Sequence, residues 1–344
     1  MSTRAGQPAV STVKQMKAIY RDRYGETDVL QYGEIDKPVP GDDEALIRVR
    51  AAGVDRGVWH LMTGLAYPVR FVSGLRRPKT RVLGMDVAGV VEAIGRDVSR
   101  FKPGDEVFGI GQGTFAEFAP APENKLVHKP KTLTFDQAAV LSISGLAALR
   151  AVRDEASVQP DQRVLIIGAS GGVGTFAVQI AKAFGAEVTG VASAAKADVV
   201  RSAGADHVID YKRDDFAEGA RQWDVVVDIA GNRRVSQLRR ALMPKGTLVI
   251  VGGEGGGKWS GGMGRSIGAA LLSPFVGQTL RMQTPKEWLE GIETLKDLVE
   301  AGRIVPILER TFALSEAPEA IRYLESGRAR GKLAVRISDP DFAA

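Results

Sequence analysis

One segment limits what this chain can fold into more than any other: Val164-Leu-Ile-Ile-Gly-Ala-Ser-Gly-Gly-Val-Gly-Thr-Phe-Ala-Val-Gln-Ile-Ala-Lys182. An apolar strand-type run, a glycine turn and an apolar run with helical spacing stand there in the order strand, turn, helix. Ala169-x-Gly171-x-x-Gly174 replaces only the first glycine of the dinucleotide-binding turn. Gly171 would let backbone approach a pyrophosphate, and Gly174 would let the helix meet the sheet. The helix N-terminus would offer free N–H groups and the positive dipole end to phosphates. Ala169, Gly171, Gly172, Val173 and Gly174 are therefore cofactor-binding candidates. A lone turn of this kind is weak evidence, but this one opens a series. The runs at 187–191, 207–209, 224–227 and 247–251 follow it with helix-period segments between them. Five buried-type strands separated by helices predict an α/β unit with a parallel sheet covered on both faces.

The second strand bears on which dinucleotide. NAD sites place an acidic residue about 20 positions after the glycines to hold the ribose hydroxyls. From Val188 to Ala197 there is no Asp or Glu; Ser193 and Lys196 offer a hydroxyl and an ammonium instead. Tyr211 adds a phenol, with Arg213 nearby, and the set favours NADPH over NADH. Val251, Gly252 and Gly253, after the fifth strand, are expected to line the pocket at the carboxyl edge of the sheet. Two look-alikes fail on chemistry. Gly168-Ala-Ser-Gly-Gly172 resembles a serine nucleophile elbow, but the only downstream histidine, His207, starts a predicted strand. Gly252-x-x-x-x-Gly257-Lys258 resembles a phosphate loop, but Trp259 stands where Ser or Thr must hold magnesium.

The remainder has a different texture. From Lys17 to about Ala119, short strand-type runs alternate with turn signals such as Pro38-Val-Pro-Gly41 and Lys102-Pro-Gly-Asp105, which predicts a compact β-rich unit. An amphipathic helix is expected near Lys286 to Gly302. The tail from Arg303 to Ile337 is expected to add strand, helix and strand and to return to the first unit. A length of 344 residues suits two domains. The absence of cysteine removes disulfides, thiolate metal sites and cysteine nucleophiles. A net charge of +5, spread along the chain, argues against a dedicated nucleic-acid or membrane surface. Met1 to Thr12 lacks the apolar core of a secretory signal and reads as a frayed tail, and Val164 to Ala181 is too broken by glycine to span a bilayer. A cytoplasmic protein is the expectation.

Several further motifs converge. They are Arg50-Ala-Ala-Gly-Val-Asp55 with Thr63-Gly64, the Leu83-to-Gly95 run containing Gly84-Met-Asp86, Phe101-Lys-Pro-Gly-Asp-Glu-Val-Phe108, Ser170-Gly-Gly-Val-Gly174, the run from Arg201 to Asp210, and Gly327-Arg-Ala-Arg-Gly-Lys332. With them the chain resembles the medium-chain dehydrogenase/reductase superfamily over nearly its full length, and within it the zinc-free quinone oxidoreductase-like branch. The resemblance implies a GroES-like β-rich catalytic domain from residues 1–136 and 303–344. A Rossmann domain with a doubly wound parallel sheet, residues 137–302, lies between, and the active site is in the cleft. It also implies Ser144 beside the nicotinamide, Lys332 among the cofactor-binding residues, and a homodimer in which a last Rossmann strand, about Phe275 to Met282, pairs with its twin.

The departures matter as much. Zinc-dependent relatives place a cysteine ligand at Asp55 and a histidine ligand at Met85, and their structural zinc lobe is missing between Phe108 and Phe118. A catalytic zinc is not supportable on these groups. Zinc-free relatives usually carry Asn at the Asp55 position and Tyr at the His60 position, so the substrate chemistry of that branch is not carried over with the fold. Without a Lewis acid, hydride addition to a conjugated acceptor is the less demanding reaction. The expected activity is therefore NADPH-dependent reduction of a quinone or an α,β-unsaturated carbonyl compound. His60 is the first choice of proton donor, Tyr67 an alternative, and Asp55 is expected at the nicotinamide ribose or substrate. Arg70, Arg76, Arg77, Lys79 and Arg81 form a solvated face or a site for an anionic substrate tail, as in an enoyl-thioester reductase. A non-catalytic NADPH-binding sensor or structural protein is the competing class.

Overall fold

The computed structural model describes residues 14–218, 222–253, 257, 259, 261–284 and 287–337. The N-terminal segment Met1 to Thr12, Lys258 of the phosphate-loop look-alike and Lys286 lie outside these residues. Six parallel strands form one sheet: Arg163–Ile167, Glu187–Ala192, His207–Asp210, Trp223–Asp228, Leu242–Ile250 and Thr279–Met282. Across the sheet they run third, second, first, fourth, fifth, sixth. The first and fourth strands bury four residues in a row each, as expected where helices cover both faces. The chain reverses its winding direction between those two strands, so the crevice opens beyond Ile167 and Asp228.

Helix Gly172–Ala183 follows the glycine turn and buries Phe176, Ala177, Ile180 and Ala181 against the sheet. The amphipathic helix near 286–302 is Trp288–Glu300, with Ile292, Leu295 and Val299 buried. Two expectations shift. The fifth strand starts at Leu242 and ends at Ile250, so Val251 already lies beyond it. The sixth strand starts at Thr279, not near Phe275, because Pro274 opens a tight turn over Ser273–Phe275 and brings no N–H to a ladder. Helix Met263–Leu272 was not legible in advance; it buries only Ala269 and so carries little helical periodicity.

The second large sheet has seven strands built around Glu44–Val54. That strand pairs antiparallel with Asp86–Ile94, Phe118–Pro122 and Lys332–Arg336. Lys332–Arg336 in turn lies parallel to Leu308–Ala313, with helix Ala317–Glu325 between them in the chain. The tail therefore inserts its last strand into the interior of the first unit's sheet. One glycine here is demanded by close approach: a Cβ on Gly53 would stand 2.5 Å from the Ala139 carbonyl and 2.7 Å from Asp86 Oδ2. Gly53 thus makes room for a buried carboxylate. Among the described residues no helix is long and apolar enough to cross a membrane.

Candidate cofactor cleft and active site

The glycine turn is built as its spacing requires. Gly168 adopts φ +87°, where L side chains are strained. A Cβ on Gly174 would stand 2.1 Å from the Gly168 carbonyl, so helix and turn meet there without a side chain. A Cβ on Gly171 would have only the Gly168 carbonyl near it, at 3.6 Å. That side of the turn is open. Gly171 caps helix Gly172–Ala183 without a side-chain hydrogen bond, which leaves the first-turn N–H groups for a ligand. The tail closes the other side: the Gly331 N–H donates to the Ser170 carbonyl at 2.9 Å, and Gly171 and Gly331 form a parallel bridge.

Beyond the turn lies a cavity of about 920 Å³. It brings together Gly168, Ser170, Ser193, Lys196 and Tyr211, and adds cations that the sequence did not single out: Lys212, Arg233, Arg234, Arg328 and Arg330. Glu309 is the carboxylate in its lining. Lys196 Nζ donates to the carbonyls of Gly327 and Ala329, at 2.6 and 2.7 Å, which ties the second strand's end to the tail. Burial holds the Lys196 pKa below the ordinary lysine value, against the pull of Glu309. Arg330 is paired with Asp198 at 3.1 Å. An open glycine turn, an uncapped helix N-terminus and a cation-rich pocket at the end of the second strand fit a nicotinamide dinucleotide.

Lys332 is not a wall of this cavity but a support beneath the turn. Its stem passes so close to Gly172 that a Cβ there would stand 2.7 Å from Lys332 Cδ. Its ammonium donates to Ser144 Oγ at 2.9 Å and to the Val54 carbonyl at 3.4 Å, and lies 3.8 Å from Asp86 Oδ2. Both ends of the ion pair are buried. Asp86 Oδ1 accepts from the Ile143 N–H at 2.8 Å, at the start of the helix that carries Ser144. Burial pushes the Asp86 carboxyl up to about 7; Lys332 opposes the shift and the neighbouring Asp55 charge adds to it. Asp86, absent from the expectations as a site residue, therefore joins its own strand, Lys332 beneath the glycine turn and the helix that carries Ser144 in one buried network.

Asp55 caps helix Arg56–Thr63: its Oδ1 accepts from the Val58 N–H at 3.2 Å. Its Oδ2 is buried without a hydrogen-bond partner among the described residues. Met85 Cε and Asp55 Oδ1 both face Gly57, where a Cβ would stand 2.6 and 2.8 Å from them. One thioether and one carboxylate do not make a zinc site. Among the described residues no group of three His, Cys, Asp or Glu side chains could hold a metal ion.

His60 and Tyr67 sit on the segment that follows. His60 Nδ1 lies 2.6 Å from the Leu65 carbonyl; since a carbonyl only accepts, Nδ1 carries the proton and Nε2 is left for chemistry. Tyr67 packs edge-on against Trp259 at 5.1 Å, and Ala66 faces Gly261, so this segment forms one lip of the cleft against the glycine loop of the parallel-sheet unit. Neither residue hydrogen-bonds to the Asp86–Lys332 network among the described residues. Val251, Gly252 and Gly253 lie at the base of that loop. The Val251 and Gly252 N–H groups donate to the Asp228 carbonyl, and Arg265 clamps the Gly252 carbonyl at 2.9 Å while pairing with buried Asp228 at 2.5 Å. Arg265 escaped the sequence reading because its partners are set by chain reversal at the sheet edge, not by local spacing.

Comparison with known proteins agrees with this geometry. Residues 41–131 match the family described as "Alcohol dehydrogenase GroES-like domain", and residues 203–335 the one described as "Zinc-binding dehydrogenase". The mitochondrial NAD(P)H oxidoreductase RTN4IP1 of Bos taurus is 32% identical, over 94% of this chain and 89% of its own. The quinone oxidoreductase of Coxiella burnetii is 28% identical, with a TM-score of 0.80 over 94% of this chain and all of its own. The CurK enoyl reductase is 27% identical, with a TM-score of 0.83 over the same shares. Two-domain architecture, glycine turn and relatives together place the chain in the quinone oxidoreductase-like branch of the medium-chain dehydrogenase/reductase superfamily.

Proposed function

We propose that the protein is a zinc-independent, NADPH-dependent oxidoreductase that reduces quinones or α,β-unsaturated carbonyl compounds. The observation that carries the NADPH reading is the cationic rim of the cavity: Lys196, Arg328 and Arg330 beside Ser193 and Tyr211, where NAD sites need a carboxylate. A 2′-phosphate brings close to two negative charges to that rim; the unphosphorylated ribose brings none.

Bound there, the nicotinamide supplies hydride. The chain's own residues do the rest. The turn at Gly171 admits the pyrophosphate, Lys332 and Asp86 fix the turn and the Ser144 helix relative to each other, and the lip from His60 to Tyr67 narrows the cleft against the glycine loop. Because His60 Nδ1–H is committed to Leu65, Nε2 releases a proton only from the imidazolium. With Asp55 and Met85 at the positions where relatives hold zinc, a conjugated acceptor suits the site, since its charge delocalises onto an oxygen that a donor or water stabilises. An enoyl thioester is the second acceptor class, supported by the likeness to an enoyl reductase.

Metal-free protein is expected to oxidise NADPH, followed at 340 nm, with a quinone or enone and far more slowly with a simple ketone. Arg328→Ala with Arg330→Ala should raise KM for NADPH about tenfold or more, as lost charge-assisted contacts imply, and leave KM for NADH unchanged. His60→Gln should lower kcat and leave KM for NADPH unchanged. NADPH binding with no turnover across the panel would sink the enzyme reading in favour of a sensor; equal effects on NADH would sink the 2′-phosphate assignment.

We also propose a homodimer through the edge strand Thr279–Met282. Helix Met263–Leu272 packs beside that strand and leaves Leu271 exposed, as is Phe275 in the following turn. Light scattering should give twice the chain mass, and Leu271→Asp with Phe275→Asp should halve it; a wild-type monomer at micromolar concentration would reject the interface.

A further inference from the structure

The lip of the cleft carries a surface where exposed cations stand beside bare apolar side chains. From Arg56 to Met85 the chain has no Asp or Glu, yet it has Arg56, Arg70, Arg76, Arg77, Lys79 and Arg81. Some of these are committed. Arg56 lies over Trp59, Arg70 donates to the Gly64 carbonyl and covers Tyr24, and Arg81 pairs with Asp22. The side chains of Arg76, Arg77 and Lys79 are exposed and make no hydrogen bond or ion pair among the described residues.

Apolar side chains stand bare beside them. The short helix Val69–Ser73 buries none of its residues; Phe71 is 75% exposed, Val72 79% and Leu75 64%. Trp259 joins the strip through its contact with Tyr67 and is 80% exposed. Single exposed apolar residues are ordinary on soluble proteins, but a cluster rimmed by free cations marks an interaction surface.

We propose that this strip docks the protein on an anionic lipid bilayer. Phe71, Val72 and Leu75 would enter the boundary between headgroups and acyl chains, Trp259 would sit at headgroup level, and Arg76, Arg77 and Lys79 would meet lipid phosphates. Charge complementarity selects this occupant. A second copy meeting the strip across a two-fold axis would press cations onto cations. A nucleic acid would use the cations and leave Phe71, Val72 and Leu75 in water. The net charge of the whole chain gave no hint of this, because +5 averages over acidic segments elsewhere. Docking in this orientation sets the Ala66–Gly261 lip of the cleft at the lipid surface.

The test is co-sedimentation of the full chain with vesicles of phosphatidylcholine alone and of phosphatidylcholine mixed with phosphatidylglycerol, at low and physiological salt. Binding is expected to the anionic vesicles only and to weaken with salt. Arg76→Glu with Arg77→Glu should weaken it roughly 10- to 100-fold. Phe71→Ser with Leu75→Ser should weaken it on the same vesicles, with melting temperature and NADPH affinity unchanged in both variants, since all four side chains are exposed. Failure of the wild type to sediment, or wild-type binding by the charge-reversed variant, would overturn the proposal. Undiminished binding by the Phe71/Leu75 variant would also overturn it, leaving surface adsorption only, as would a fall in oligomer mass on those substitutions.

Discussion

A methyl group added at Gly171 is expected to leave the melting temperature of the free protein unchanged or slightly raised and to weaken NADPH binding at least tenfold. The same methyl at Gly174 is expected to cost both stability and binding. The difference is steric. At Gly171 the backbone has φ −86° and ψ 175°, which any residue adopts, and the new Cβ meets only one carbonyl at 3.6 Å. Replacing glycine by alanine at such a position stabilises by about 0.4–1 kcal/mol through the unfolded chain. The methyl then occupies the open face that the proposed function gives to the pyrophosphate. At Gly174 the Cβ would stand 2.1 Å from the Gly168 carbonyl and 2.8 Å from the Ala169 backbone. Backbone on both sides cannot swing away as a side chain would, so the helix must back off the sheet, at a cost of about 3 kcal/mol or more. Calorimetric melting and an NADPH titration of the two variants separate the effects. Tight NADPH binding by Gly171→Ala would show that the pyrophosphate does not lie against this turn.

The second large effect concerns Lys332. In Lys332→Met the buried Asp86 carboxylate loses its counter-charge, and breaking such a pair costs about 3–5 kcal/mol, or a fall in melting temperature of roughly 6–15 °C. The penalty should grow with pH. Asp86 titrates at about 7 in the folded protein, well above an exposed aspartate, so below that value it is largely protonated and Lys332 has little charge to neutralise. The sign for the wild type follows from the same shift. The folded state holds the Asp86 proton more tightly than the unfolded state does. The stability this contributes is full below the ordinary aspartate range and is lost as pH rises through about 7. Asp86→Asn should flatten that slope in urea denaturation between pH 5 and pH 8, and a slope identical to the wild type would refute the assignment.

What the sequence disclosed was local. The glycine turn, the strand after it and the missing carboxylate before Lys196 all sit within one stretch, so spacing alone brings them together. Arg328 and Arg330 reach the same cavity from more than 130 positions away, and nothing near them in the chain shows that the tail folds back over the second strand. Asp86 stands beside Met85 and was read only as part of a lost zinc motif. Its partner Lys332 is supplied by the last strand, and the depth that shifts its titration exists only once Gly53 admits it to the sheet. His60 was visible as an imidazole in a suitable place. Which of its nitrogens is free depends on the Leu65 carbonyl, a matter of loop geometry. Phe71 and Val72 carry no local signal of exposure; only the folded chain shows that they stand bare.

The insertion of Lys332–Arg336 between Leu308–Ala313 and Glu44–Val54 also fixes an order of events during synthesis. All six strands of the parallel sheet leave the ribosome before the residues that complete the first sheet. At about 5–20 residues per second, the N-terminal unit waits tens of seconds for its missing interior strand. Throughout that interval the edge of Glu44–Val54 that will pair with Leu333 to Arg336 stands open to other strands. The cavity beyond the glycine turn, too, lacks Arg328, Arg330 and the Gly331 bridge until those residues are made. A nascent chain therefore completes the cavity wall only once Gly327 to Gly331 have emerged, and a chain cut short before Gly327 carries the glycine turn without that wall.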